Sequence, residues 1–361
     1  MNKVLSFATL AVTALFLGSC AKHTYTGPND ANKRYLEAWL QVNNIDAEPS
    51  GRGIYILEDE TGNGAEVKKD GFIFIESTTT DLDGLITSYT SKEIAQQLGT
   101  YNPSNYYGPE IMSLFSGNLY AGLADMLLGM KVGGHRKAII PAWLMSYKDL
   151  AKEEDYLDLA TISSTLIYDI RIKDFTTDIN QWEIDSIGRF FSNSQVLIDG
   201  IAADKVFVNN DGTVMTAKDS TSKGFYYKQL TPPSTKEAFP SDTTIYINYT
   251  GRLLNGQVFD TTIEDVAKDN NIYSSSKDYA PVQINWPNTK ENETHDKITM
   301  GTSESSLVGG FTKILWQMKD KEKGMGVFYS ALGYAQTGSG QLIPAYSPLI
   351  FEIEIVEKPQ N

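Results

Sequence analysis

The 361-residue chain is almost without cysteine: Cys20 is the one it has. No disulfide within the chain is available, so stability has to come from core packing. Histidine is nearly as scarce, with His23, His135 and His295 as the whole set. No HExxH pair and no cysteine cluster occurs, so neither a structural nor a catalytic zinc site is expected. No Walker-type phosphate loop and no strand–GxGxxG–helix unit is present, which removes the common nucleotide-binding designs. Gly338-Ser339-Gly340 lacks the GxSxG spacing of a nucleophile elbow and reads as a loop. Cations are in deficit, with 31 Lys and Arg against 45 Asp and Glu for a net charge of −14. Nucleic-acid binding needs clustered Lys and Arg, so no nucleic-acid partner is expected. Acidic runs such as Glu153-Glu154-Asp155 read as solvated faces, and Asn210-Asp211-Gly212 as a turn far from EF-hand spacing. No metal and no cofactor follow from this inventory.

What is present is a globular composition, 41% hydrophobic and 21% charged, at a length that suits about two domains. The chain opens on Lys3 and an apolar run from Val4 to Leu17, of signal-peptide length and short for a bilayer span. Leu17-Gly18-Ser19-Cys20 follows. This resembles a bacterial lipoprotein signal, which implies removal of residues 1–19 and a membrane anchor through lipidated Cys20. Residues 20–32 are polar, contain Gly and Pro, and read as a flexible tether. The expected location is the cell envelope, lipid-anchored in the outer membrane with a lean to its periplasmic face.

The remainder contains an internal repeat. Strand-like stretches at Gly53–Leu57 and Gly71–Ile75 precede the turn Leu82-Asp83-Gly84. Similar stretches at Gly224–Lys228 and Thr244–Tyr249 precede Leu254-Asn255-Gly256. A short apolar helical stripe follows in each half, at Leu123, Met126, Leu127 and Met130, and at Phe311, Ile314, Leu315 and Met318. Each half closes on an alternating strand. Leu166, Tyr168, Ile170 and Ile172 share one face in the first; Leu349, Phe351, Ile353 and Ile355 do so in the second, with Glu352 and Glu354 opposite. Helices are predicted before each copy, over 33–42 and 181–191. The pattern implies an α+β fold of two similar domains, each a mostly antiparallel sheet wrapped on a helix. The divisions are 33–175 and 224–361, with residues 176–223 as a linker containing a helix.

The second half carries five motifs in order: Tyr249-Thr250-Gly251, Gly256-Gln257-Val258-Phe259-Asp260, Leu307-Val308-Gly309-Gly310-Phe311, Ala331-Leu332-Gly333-Tyr334, and Leu342-Ile343-Pro344 leading into Ser347–Phe351. Over about residues 224–358 it resembles the FKBP-type peptidyl-prolyl isomerases. The resemblance implies a curved antiparallel sheet around a short helix, with a proline pocket between them. It implies a site of Tyr249, Phe259, Asp260, Phe311, Tyr334, Ile343 and Phe351, with Leu307 and Val308 also contacting substrate. The family usually has tryptophan at the pocket floor; Phe311 keeps an aromatic there and removes an indole N–H. By this reading Asp260 accepts a hydrogen bond from Tyr249, and the Ile343 N–H and the Tyr334 hydroxyl donate to carbonyls flanking the proline. Residues 263–297 read as a loop or flap beside the pocket, and Gln336–Gln341 as a glycine-hinged loop over it. The implied substrates are proline-containing segments of exported polypeptides.

The first half keeps the turn and loses the site. Against YTGRLLNGQVFD stands STTTDLDGLITS, with Ser77, Thr87 and Ser88 at the positions of Tyr249, Phe259 and Asp260. Leu123 replaces Phe311, and Tyr168 alone matches an aromatic wall, that of Phe351. A degenerate FKBP-like domain without isomerase activity is expected. The alternative for the whole chain is a non-catalytic binding module in an envelope protein complex.

Overall fold

The computed structural model describes residues 27–160, 163–193, 207–208, 214–215 and 224–360; the leader, Cys20 and the start of the tether lie outside the described residues. The last tether residues are not free chain. Asn29 is buried and its side-chain amide donates to the Leu157 and Leu159 carbonyls at 3.2 and 2.7 Å. Helix α1 then runs from Asp30 to Val42, burying Leu36 and Leu40.

Stretches rich in β-branched and aromatic residues form the strands, as their alternation predicts. In the first unit these are β1 (Pro49–Ser50), β2 (Ile54–Glu60), β3 (Phe72–Thr80), β4 (Ile86–Tyr89), β5 (Glu110–Ser113), β6 (His135–Ile140) and β7 (Leu166–Thr176). They follow the order β1-β2-β6-β7-β3-β4, and β5 also pairs with β3. Short helices α2 (Lys92–Gln97) and α3 (Ala121–Leu127) lie after β4 and β5, and α4 (Glu153–Leu157) precedes β7. Helix α5 (Ile179–Asn193) and a small ribbon, β8 (Phe207–Val208) with β9 (Val214–Met215), lead into the second unit.

The second unit has β10 (Phe225–Thr231), β11 (Thr244–Leu253), β12 (Val258–Thr261), β13 (Val282–Asn285), β14 (Thr299–Met300), β15 (Ser305–Ser306), β16 (Lys323–Phe328) and β17 (Leu349–Val356). Its order is β10-β16-β17-β11-β13-β14-β15, with β12 also on β11. Helices α6 (Glu264–Asp269) and α7 (Gly309–Gln317) occupy the places of α2 and α3. Matching β2, β6, β7, β3, β4 and β5 to β10, β16, β17, β11, β12 and β13 makes the two antiparallel sheets the same sheet. The α+β repeat expected from the sequence is therefore the architecture.

The correspondence extends to single hydrogen bonds. The Asp81 N–H donates to the Leu85 carbonyl at 3.0 Å, and the Leu253 N–H to the Gln257 carbonyl at 2.9 Å. Gly84 and Gly256 close these turns at φ of 87° and 88°, a left-handed backbone that favours glycine. The helices touch the sheets at equivalent glycines. A Cβ on Gly122 would lie 2.3 Å from Ile140, and one on Gly310 would lie 2.4 Å from the Phe328 ring.

One sequence expectation is corrected here. Residues 263–297 are not a flap: α6 and β13 lie within them, and Ile284 and Trp286 are core residues. β7 continues to Thr176 and α5 begins at Ile179, so the division near residue 176 is a tight turn from strand into helix. Ile187 and Phe191 of α5 then pack on Tyr226, Met325, Val327 and Ile350, covering the outer face of the second sheet. Consequently Glu352, on the face opposite the apolar stripe of β17, is 8% exposed and ion-paired with Lys323 at 2.5 Å. The start of α5 stays with the first unit, where Trp182 stacks on Phe74 at 3.9 Å and donates to Asp174 at 2.7 Å.

Candidate active site

The hairpin β11–β12 places the first group of site residues. Gly251 pairs with Asp260 and Arg252 with Val258, so Phe259 is the extra residue of a β-bulge. Strict alternation would send Phe259 and Asp260 to opposite faces; the bulge re-aims the strand so that both serve one site. The first unit has the same bulge, with Thr79 opposite Ser88, Thr80 opposite Ile86, and Thr87 unpaired. The backbone device is thus shared, and only its side chains differ.

Phe351 on β17 lies at the centre of an aromatic cluster. Its ring is edge-on to Phe259 at 5.5 Å and to Phe311 at 4.9 Å, and parallel to Phe328 at 5.9 Å. Tyr249 stands edge-on to Phe311 at 5.5 Å. Such edge-to-face pairs satisfy the ring quadrupoles and fix ring orientation as well as burying area. Gly251, opposite Phe351 on β11, makes the room: a Cβ there would lie 2.5 Å from Phe259 and 2.9 Å from Phe351. Gly251 stands in the opening motif, but its steric role required the bulge to be seen. In the first unit Thr79 occupies this place beside Tyr168.

The polar rim is built around Asp260. The Tyr249 hydroxyl donates to its Oδ2 at 2.6 Å, and Lys277 Nζ contacts its Oδ1. Burial, and then the Asp260 charge, push the Tyr249 phenol above its ordinary pKa, so it remains a donor. Lys277, from the stretch after α6, is a site neighbour the sequence did not reveal. The Tyr334 phenol is also raised, by burial and then by Asp260, but its hydroxyl has no hydrogen-bond partner among the described residues.

Ile343 is where the expectation fails. Its side chain is 5% exposed and joins the aromatic cluster. Its N–H, however, donates to the Ser339 carbonyl at 3.1 Å, and the Ser339 N–H donates back at 2.8 Å. The donor is consumed in a small hairpin within the loop. The Val308 N–H, at the start of α7, has no acceptor among the described residues. It is left as a donor beside the aromatic cluster, because the first amides of a helix lack intrahelical partners. The Leu307 and Val308 side chains pack against the same cluster. The glycine-hinged loop is internally tied: the Thr337 and Gly338 N–H groups both donate to the Tyr334 carbonyl at 3.2 Å.

This bulged hairpin, aromatic cluster and helix start coincide with a known pattern. Residues 235–356 match the family model described as FKBP-type peptidyl-prolyl cis-trans isomerase. Residues 235–356 form an FKBP-type domain. The chain is 26% identical over 138 residues to a probable FKBP-type peptidyl-prolyl cis-trans isomerase of Haemophilus influenzae, covering 38% of this chain and 44% of that protein. It is 26% identical over 133 residues to the macrophage infectivity potentiator of Trypanosoma cruzi, covering 37% of this chain and 52% of that protein. The chain thus spans about half the length of these two relatives. FkpA of Escherichia coli is a similar solved structure, with 20% identity over 49% of this chain and 74% of that chain, and a TM-score of 0.28. The first unit repeats the strand order and hairpin register of the second, so it is FKBP-like in fold. Ser77, Thr87, Ser88 and Leu123 stand where the FKBP-type domain has Tyr249, Phe259, Asp260 and Phe311.

Proposed function

We propose that the second domain is a peptidyl-prolyl cis–trans isomerase acting on proline-containing segments of exported polypeptides, in a chain held in the cell envelope through lipidated Cys20. The observation that carries the catalytic reading is the aromatic enclosure of Phe259, Phe311 and Phe351 with two donors at its rim, Val308 N–H and Tyr334 O–H, that have no acceptor among the described residues.

Resonance keeps the amide planar against a rotation barrier of roughly 18–20 kcal/mol. Isomerisation breaks no bond, so no nucleophile or general base is needed; the site has only to bind the twisted amide better than either planar form. The three phenylalanines hold the proline ring and exclude water from the preceding carbonyl. A twisted amide is less polar than a planar one, so this desolvation favours it. Val308 N–H and Tyr334 O–H donate to carbonyls on either side of the ring and fix the part of the chain that does not rotate. Asp260 holds Tyr249 through the 2.6 Å hydrogen bond and so sets the pocket wall. Each tenfold in rate needs about 1.4 kcal/mol, within reach of such contacts.

The test is isomerisation of a short X–Pro peptide by the full chain. Tyr334→Phe is expected to lower kcat/KM about threefold to tenfold, the worth of one hydrogen bond. Phe259→Ala is expected to lower it roughly ten- to hundredfold through lost apolar contact. A wild type that binds the peptide without accelerating isomerisation would instead establish the binding-module alternative. The envelope location is supported by the Leu17–Cys20 stretch, and the outer-membrane, periplasmic-face reading by the lack of acidic residues in Ala21–Thr24. In a bacterial host, labelled fatty acid is expected to enter the wild type and not Cys20→Ala; equal labelling of both sinks the anchor.

A further inference from the structure

The loop from Ser330 to Tyr346 carries Tyr334 and Ile343, and elements outside the FKBP-type domain grip it at three points. At its start, Glu183 of α5 is fully buried and accepts from the Ser330 N–H at 2.5 Å and the Ser330 hydroxyl at 2.7 Å. In its second half, the Tyr106 N–H of the first unit donates to the Gln341 carbonyl at 2.7 Å, and the Asn105 side-chain amide to Gln341 Oε1 at 2.7 Å. The Gln257 side chain of the β11–β12 turn donates to the Asn105 carbonyl at 3.0 Å, closing the contact from the other side. At the loop's end Phe72 of β3 meets the Tyr346 ring edge-on at 5.1 Å. Tyr346 and Ala335 both hold left-handed backbones, at φ of 53° and 46°, and are joined by a Tyr346 N–H to Ala335 carbonyl bond of 2.7 Å. Non-glycine residues keep such conformations only where surroundings over-determine them.

We propose that the degenerate first domain and α5 act as a clamp on this loop, with Asn105, Tyr106 and Glu183 as positioning residues that hold Tyr334 over the prolyl pocket. The proposal rests on the isomerase reading above. It gives the first domain a task that does not require a pocket of its own, and it accounts for three separate contacts on one loop. A hydroxyl held at its acceptor's position loses less freedom on binding than one on a mobile loop, so the clamp acts on the rotating state.

The test uses the full chain throughout, with X–Pro peptide kinetics at a temperature where circular dichroism shows every variant folded. Asn105→Ala, which removes the side-chain donor to Gln341, and, separately, Glu183→Ala are each expected to lower kcat/KM about fivefold, mainly through kcat. Glu183→Gln, which keeps one acceptor for Ser330, is expected to lose less. The distinguishing readout is a double-mutant cycle with Tyr334→Phe. If the clamp works through Tyr334, the clamp variants have little further effect in the Tyr334→Phe background. Hydrogen exchange at residues 333–346 is expected to speed up in the clamp variants. Additive effects in the cycle, or clamp variants as active as an active wild type, overturn the proposal. An inactive wild type overturns the isomerase reading, and the clamp with it.

Discussion

Phe351→Ala is expected to destabilise the second domain by roughly 3–5 kcal/mol and to abolish the isomerase activity proposed for it. Phe351 is 5% exposed and touches Phe259, Phe311, Phe328 and Tyr249 by ring contacts. Removing its ring leaves a cavity walled by aromatics that sit on strands and a helix and cannot collapse into it. Denaturant unfolding is the measurement: the transition assigned to the second domain moves to lower denaturant with an unchanged slope. The chain supplies its own control. Tyr168 occupies the equivalent position in the first unit, is half-buried, and hydrogen-bonds weakly to Met145 Sδ at 3.9 Å. Tyr168→Ala is expected to cost less and to leave kcat/KM unchanged while both domains remain folded. Equal losses from the two substitutions would show that the second position is no more central to its core than the first.

The second large effect is on the pH dependence of stability. Burial pushes the Glu183 carboxyl from 4.5 up to about 7, although two Ser330 hydrogen bonds pull the other way. Its folded-state pKa therefore lies above its unfolded one, and the folded state holds the proton more tightly. Stability from this group is fully present below about pH 4.5, falls as pH rises toward 7, and is level above that. At about 1.4 kcal/mol per pKa unit the total is on the order of 3 kcal/mol. Unfolding free energies across pH 4–8 are expected to decline in the wild type relative to Glu183→Gln. A difference between the two proteins that stays flat across that range contradicts the buried, raised carboxyl. The neighbouring Tyr346 phenol is raised by burial and by the Glu183 charge, and titrates above this window.

What was legible in the sequence was whatever depends on local periodicity or on a turn residue. Alternation at Gly71–Ile75 and Leu349–Ile355 predicts strands, which form as Phe72–Thr80 and Leu349–Val356, and Asp83-Gly84 and Asn255-Gly256 predict their turns. The five ordered motifs located the aromatic cluster, which the structure assembles around Phe351. What escaped was set by single-residue register or by partners far along the chain. A bulge leaves no mark on a count of alternating residues, so the shared face of Phe259 and Asp260 could not be read. The Ile343 N–H looked available because nothing in its sequence neighbourhood announces the hairpin to Ser339. The burial of Glu352 escaped because the helix that covers its face lies over a hundred residues earlier, and periodicity carries no information about such covers. Lys277 beside Asp260 and Asn105 beside Gln341 are of the same kind.

The two-residue strands have a consequence for how a polypeptide could attach. Each sheet finishes at one end in such a strand, Pro49–Ser50 in the first unit and Ser305–Ser306 in the second. A pair of residues offers too short a ladder for an incoming chain to extend, and Pro49 has no N–H to give. At these ends the protein is blunted against strand-by-strand growth, whether by another extended polypeptide or by a second copy of itself.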